Sequence, residues 1–115
     1  MVDLHNKEND YFFKAILSLK SIEECYSFFE DVCTIKEIQA FSQRLEVAKM
    51  LKEKKVYNEI VEKTGASTAT ISRVNRSLTY GSSGYDLVFS RIGKDWPSYK
   101  LLTDIFNWHQ IKKSV

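Results

Sequence analysis

The sequence predicts an all-α protein of six to seven short helices, two of which form a helix-turn-helix. Apolar residues recur with a period near 3.6, and no sustained alternation of apolar and polar residues indicates a strand. A serine or threonine followed three residues later by glutamate, which is typical of a helix N-terminus, occurs at Ser21 and again at Thr34. Gly65 separates two short amphipathic segments, as the turn of a helix-turn-helix requires.

The first three helices follow from these signals. An aromatic-rich helix is expected over about Tyr11 to Leu19, and Ser21 opens a second. Its expected buried face consists of Ile22, Cys25, Tyr26 and Phe29. Thr34 opens the third and longest helix, over about Ile35 to Glu53. Its expected inward residues are Ile38, Phe41, Leu45, Ala48 and Leu51.

The helix-turn-helix is expected between Tyr57 and Leu78. Gly65 supplies the positive φ of the turn, and Ser67 is a suitable N-cap for the second helix. Spacing of i, i+3 and i+7 places Ile71, Val74 and Leu78 on one buried stripe of that helix. The opposite face must then be exposed to solvent or to a ligand.

That opposite face predicts binding to double-stranded DNA. Its residues are small, hydroxyl-bearing or basic, and none is a carboxylate: Ser67, Thr68, Ala69, Thr70, Ser72, Arg73 and Arg76. In a major groove, methyl groups contact thymine, hydroxyls bond base edges or phosphates, and arginine pairs with guanine. The preceding basic run, with Lys52, Lys54 and Lys55, is expected to contact phosphates. A purely structural interpretation stays open as an alternative, because any short amphipathic hairpin has an apolar stripe and a polar face.

The charge distribution supports this face. Residues 1 to 40 carry four lysines against eight acidic residues, net −4, whereas residues 41 to 80 carry eight basic residues against four glutamates, net +4. Residues 81 to 115 are net +2, so the formal charge of the 115-residue chain is only +2. A run of charge is often only a solvated face, so the distribution is supporting evidence alone.

The chain is predicted to be a single domain, 1–115. Residues 11–53 would supply the N-terminal helices and dimer core, 57–78 the helix-turn-helix and 85–112 the C-terminal helices. Gly81 to Gly84 forms a turn cluster before a short helix over Tyr85 to Ile92, which Gly93 closes. Beyond Trp96 and Pro97, the apolar residues fit a last amphipathic helix whose role is open.

Several classes of protein are disfavoured. There is no apolar stretch of the ~20 residues that span a bilayer and no targeting segment, so a cytoplasmic location is expected. Cys25 and Cys33 are eight residues apart and the histidines lie near the chain ends, which is no zinc pattern, so the cysteines are expected to be free, buried thiols. No catalytic constellation or phosphate-binding loop appears, and we expect neither an enzyme nor a cofactor.

The chain resembles the Trp repressor family, and within it the YerC/YecD branch of repressor-like proteins. The resemblance rests on Gly65 to Arg73 (GASTATISR), on Ser77-Leu78, and on a helix that begins at Thr34 and runs through Gln43-Arg44-Leu45. It covers roughly residues 12 to 91. The resemblance implies an interwoven homodimer, in which aromatic residues of the N-terminal helices pack against a second copy.

The resemblance also implies an effector pocket. The family positions that hold the indole of tryptophan correspond here to Thr34, Arg44, Arg73 and Ser77, all of which are compatible. The glycine that leaves room for the ligand is replaced by Val74, which also belongs to the buried stripe. Tryptophan is therefore not expected to be the corepressor. An ion pair with a nearby carboxylate is an alternative role for Arg44.

The favoured interpretation is a sequence-specific, repressor-like transcriptional regulator. Two alternatives stay open. The same module could serve replication or chromosome machinery, or the hairpin and the tail could bind another protein. A protein-binding module would not bind DNA with a steep dependence on salt.

Overall fold

The computed structural model describes residues 3 to 93, which fold into helices and contain no strand in that range. The six helices are α1 (Lys7–Leu17), α2 (Ile22–Val32), α3 (Ile35–Lys52), α4 (Tyr57–Thr64), α5 (Thr68–Tyr80) and α6 (Gly84–Ile92). The predicted all-α fold class is confirmed. The described residues divide into two compact units, with the division along the chain between Arg44 and Leu45. The predicted helix after Trp96 lies outside the described residues, and the single domain stays a prediction.

Side chains start α2 and α3 where the sequence predicted, whereas α1 begins at Lys7, four residues before its predicted start at Tyr11, with Asn6 as its N-cap. Ser21 Oγ accepts a hydrogen bond from the Glu24 N–H at 3.1 Å, and the Glu24 carboxylate accepts from the Lys20 N–H. The Thr34 box is reciprocal, because Thr34 Oγ1 accepts from the Glu37 N–H at 3.1 Å while Glu37 accepts from the Thr34 N–H at 2.8 Å. These bonds lower the pKa of Glu37. Each satisfies backbone N–H groups that have no partner within the helix.

The predicted buried face of α2 is wrong for the single chain at Ile22 and Cys25, whereas Tyr26 and Phe29 are half-buried. Neither α1 nor α2 contains a buried residue, and Ile22 is 64% exposed. Both cysteines are free thiols as predicted, but Cys25 is exposed and Cys33 is only half-buried. The Phe12 and Phe28 rings meet with centroids 6.1 Å apart, which joins the two helices on one side only. Two helices that cover each other on one side leave their remaining apolar residues in contact with solvent.

The inward face predicted for α3 is confirmed at Ala48 and at Leu51, which packs against the core, and is wrong at Phe41. Ala48 is buried, but Phe41 is 50% exposed, and Val47 and Met50 are buried in place of the predicted neighbours. Ile38, Leu45 and Leu51 are half-buried. The prediction assumed one buried stripe along the whole helix, whereas α3 continues from one unit into the other and meets different neighbours along its length.

The core of the second unit supports the helix-turn-helix. Its buried residues come from α3, α4, α5 and the turn between the last two: Val47, Ala48, Met50, Ile60, Ala66, Ile71 and Val74. Half-buried residues pack around them, including Tyr85 and Phe89 of α6. The α5 stripe is confirmed, with Ile71 and Val74 buried and Leu78 half-buried. Because α3 and α6 both pack against this core, they fix the position of the α4–α5 hairpin.

Helix α3 ends in a Schellman motif that places a lysine in the left-handed region. The Lys55 N–H donates to the Met50 carbonyl and the Lys54 N–H to the Leu51 carbonyl, both at 3.0 Å. Lys54 occupies the position where this motif usually has glycine, and its φ is 63°. A left-handed conformation costs a residue with a Cβ about 1–2 kcal/mol.

We expect Lys54→Gly to raise the free energy of unfolding by about 0.5–1 kcal/mol. The relief of left-handed strain exceeds the extra entropy that glycine gives to the unfolded chain. Urea denaturation measures the change. Lys55→Gly is the matched control, since Lys55 has a negative φ and the same loss of a lysine should there destabilise the protein. Equal effects at the two positions would contradict the strain at Lys54.

Candidate nucleic-acid interface

The turn between α4 and α5 has the geometry expected of a helix-turn-helix. Gly65 ends α4 with φ 71° and ψ 6°, and its N–H donates to the Val61 carbonyl at 2.9 Å. A Cβ at Gly65 would meet no atom within 4 Å, so the backbone conformation and not space demands glycine. Thr64 Oγ1 accepts from the N–H of the buried Ala66 at 3.1 Å. The turn is therefore held by its own side chains and by the core.

Two residues assigned to the DNA-binding face also hold the start of α5. Ser67 is the N-cap, as predicted, and its Oγ accepts from the Thr70 N–H at 3.1 Å. The Thr70 Oγ1 lies 3.0 Å from the same oxygen. These hydroxyls are partly engaged within the protein, so their contribution to binding is in part the positioning of the helix.

The remaining predicted residues of α5 lie on its exposed side. Thr68, Ala69, Ser72, Arg73 and Arg76 are all exposed. Neither arginine makes an ion pair within residues 3 to 93. The helix contains no acidic residue along its whole length. This surface can therefore present two guanidinium groups, a hydroxyl and small apolar groups to a ligand with negative charge.

Tyr80 belongs to the same surface and was missed by the sequence analysis. The predicted helix stopped at Leu78, but α5 continues to Tyr80, whose side chain is 82% exposed. Ala69, Arg73, Arg76 and Tyr80 are spaced by four, three and four residues, so they form one row along the helix. The spacing of these four residues is visible in the sequence. A predicted helix that ended at Gly81 instead of Leu78 would have included Tyr80 in the row. A tyrosine hydroxyl is one of the groups that bind DNA phosphates.

The three lysines assigned to phosphates differ in their surroundings. Lys52 Nζ lies 2.6 Å from Asp86 Oδ1 at the start of α6, so its charge already has a partner. Lys54 is exposed and Lys55 half-buried, and neither makes an ion pair within the part of the chain that the structure describes. Lys54 and Lys55 are therefore the cations available beside the hairpin.

The residues assigned to an effector pocket fall in both units, with Thr34 and Arg44 in the first and Arg73, Val74 and Ser77 in the second. Thr34 caps α3, and the Arg44 guanidinium lies 5.2 Å from the centroid of the Phe41 ring while its Nε donates to the Ala40 carbonyl. Arg44 forms no ion pair among the described residues, and the alternative role of an ion pair stays a prediction. In α5, Arg73 and Ser77 are exposed. Val74 is 1% exposed and packs in the core.

A buried stripe, a turn at Gly65 and an exposed basic helix face place this chain in the helix-turn-helix class of proteins. Comparison with known proteins gives the family. The family model described as Trp repressor protein matches residues 7–93, and the chain belongs to that family. The resemblance noted in the sequence is thereby confirmed.

Three relatives agree with this assignment. The chain is 57% identical over 89 residues to YerC of Bacillus subtilis (strain 168), an uncharacterized protein; the match covers 77% of this chain and 86% of YerC. The crystal structure of a TrpR-like protein from Eubacterium eligens superposes with a TM-score of 0.77 at 64% identity, over 78% of this chain and 93% of that one. A Staphylococcus aureus protein that has been proposed to be a Trp repressor superposes with a TM-score of 0.76 at 51% identity, over 78% and 90%.

At the level of the family, the chain is a DNA-binding regulator. Within residues 3 to 93, no helix is long and apolar enough to cross a membrane.

Proposed function

We propose that this chain is a sequence-specific transcriptional regulator of the repressor type, which reads double-stranded DNA with the exposed face of α5. The observation that carries the proposal is the row Ala69, Arg73, Arg76 and Tyr80, which is exposed, basic and free of carboxylates on a helix whose other face is fixed in the core. Arginine reads guanine in the major groove through two hydrogen bonds, and small residues allow the helix to approach closely.

The proposed roles divide between reading and anchoring. Thr68, Ala69, Ser72, Arg73 and Arg76 contact base edges, and Ser67 and Thr70 orient the helix start. Lys54 and Lys55, near the N-terminus of α4, bind phosphates. In helix-turn-helix proteins the first helix crosses the DNA backbone, which makes cations at this end suitable phosphate ligands.

The active species is proposed to be a homodimer. The exposed apolar residues of α1 and α2, such as Phe13, Leu17 and Ile22, support this because isolated proteins rarely leave so many large apolar side chains in water. A two-fold dimer presents two reading helices to half-sites about one turn of DNA apart, roughly 34 Å.

Selection of bound sequences from a random DNA pool tests the proposal. We expect a two-fold symmetric consensus with half-sites about ten base pairs apart, bound about 10³-fold or more above random DNA. The winning site is then titrated at two salt concentrations. Enrichment of no sequence, together with weak binding that disappears with salt, would contradict a site-specific regulator.

We predict that L-tryptophan does not bind to this protein. The family position that must be small to admit the indole holds Val74, and its side chain is part of the core and 1% exposed. Admitting a ligand there would require a core side chain to leave its contacts with Ile71 and its neighbours. Equilibrium dialysis with labelled tryptophan checks the prediction, and saturable binding at micromolar concentration would contradict it.

A further inference from the structure

The ion pair between Lys52 and Asp86 differs from others in the described chain. Lys49–Glu53, at the C-terminal end of α3, and Lys63–Glu59, within α4, each join residues four apart in the sequence. Lys52 is the last residue of α3, and Asp86 lies in the first turn of α6, so this pair joins two helices on either side of the hairpin. Its 2.6 Å separation is also the shortest of the three.

The position of the pair matters because Lys52 belongs to the basic run that leads into α4. The side chains of Lys52 and Asp86 are 50% and 44% exposed, so a DNA phosphate could reach the lysine. A carboxylate and a phosphate compete for the same ammonium group. A lysine that is paired with a carboxylate can neutralise a phosphate only if the ion pair breaks. The carboxylate then stays unpaired close to the negatively charged DNA backbone, which repels it.

We propose that Asp86 is an internal competitor that withholds Lys52 from DNA phosphates and so limits the sequence-independent affinity of the domain. The proposal rests on the proposed function. A phosphate contact strengthens binding to every sequence alike, so withholding one lowers the affinity for the selected site and for random DNA by about the same factor. Asp86 thus sets how tightly the domain attaches to any DNA without changing its discrimination between sequences, because its effect falls on phosphate binding alone.

A double-mutant cycle tests the competition. Wild type, Asp86→Asn, Lys52→Met and the double variant are titrated with a random-sequence duplex at several salt concentrations. We expect Asp86→Asn to bind about 3- to 10-fold more tightly near 50 mM salt, with a salt slope steeper by about 0.9, because one more phosphate is neutralised. Lys52→Met should change the affinity less than about twofold when Asp86 is present and remove the whole gain when Asn replaces it.

The cycle separates competition from a general effect of charge. If Lys52→Met weakens binding by the same factor in both backgrounds, or if Asp86→Asn binds no better than wild type, the competition is refuted. The selected site, titrated in parallel, reports on the proposed function. If wild type binds it while the cycle is additive, only the competition fails, whereas absence of binding by all four proteins overturns both proposals. Thermal melting followed by circular dichroism confirms that each variant is folded.

Discussion

Ile71→Ala is expected to lower the free energy of unfolding by about 2–5 kcal/mol, the range for removing a large aliphatic side chain from a core. Ile71 is 0% exposed and lies among Ile60, Ala66 and Val74, where α4, α5 and the turn meet. Alanine would leave a cavity that these neighbours cannot fill without moving α5. Urea denaturation at one fixed protein concentration gives the change, since unfolding of a dimer depends on concentration.

Two matched variants serve as controls for the loss of stability in Ile71→Ala. Ile71→Val removes one methylene and should cost about 0.5–1.5 kcal/mol. Ser72→Ala, at the next and exposed position, should change stability by no more than about 0.5 kcal/mol. A loss below about 1 kcal/mol for Ile71→Ala would mean that the α4–α5 hairpin does not depend on this core for its position.

Features that depend on neighbouring residues could be predicted from the sequence. The capping bonds at Ser21, Thr34 and Ser67 each join residues three apart, and Gly65 ends α4 through its own backbone conformation. The stripe on α5 follows from its helical period. These local constraints were sufficient to place the hairpin and most of its exposed face.

Features that depend on distant parts of the chain could not be predicted. Periodicity identifies an apolar face but not the element that covers it, which is why Ile22 and Phe41 were predicted to be buried and are exposed in the chain. Lysine carries no signal for a positive φ, so Lys54 was read only as a charge. The Lys52–Asp86 contact joins residues 34 positions apart, and nothing local to either residue indicates it.

Arg76→Ala is expected to lower affinity for the selected DNA site by about 1–3 kcal/mol, which is roughly 5- to 150-fold, and to relax sequence preference at one base step. Arg76 is exposed on the row that begins at Ala69, and no described ion pair must be broken before it reaches a base. Arg73→Ala should lower the affinity by a similar factor and relax the sequence preference at a different base step. The measurement is a titration against the selected site and against single-base variants of it.

Lys54→Ala supplies the contrast that identifies base reading. Lys54 is exposed and keeps its left-handed strain when alanine replaces it, so its main loss is one positive charge. We expect weaker binding by about the same factor on every sequence and a salt slope smaller by about one, because a phosphate contact carries no sequence information. If Arg76→Ala also weakened binding to all sequences equally, Arg76 would be a phosphate ligand, and other residues of α5 would contact the bases. If neither arginine substitution nor Lys54→Ala changed binding to the selected site, this face of the hairpin would not be the surface that meets DNA.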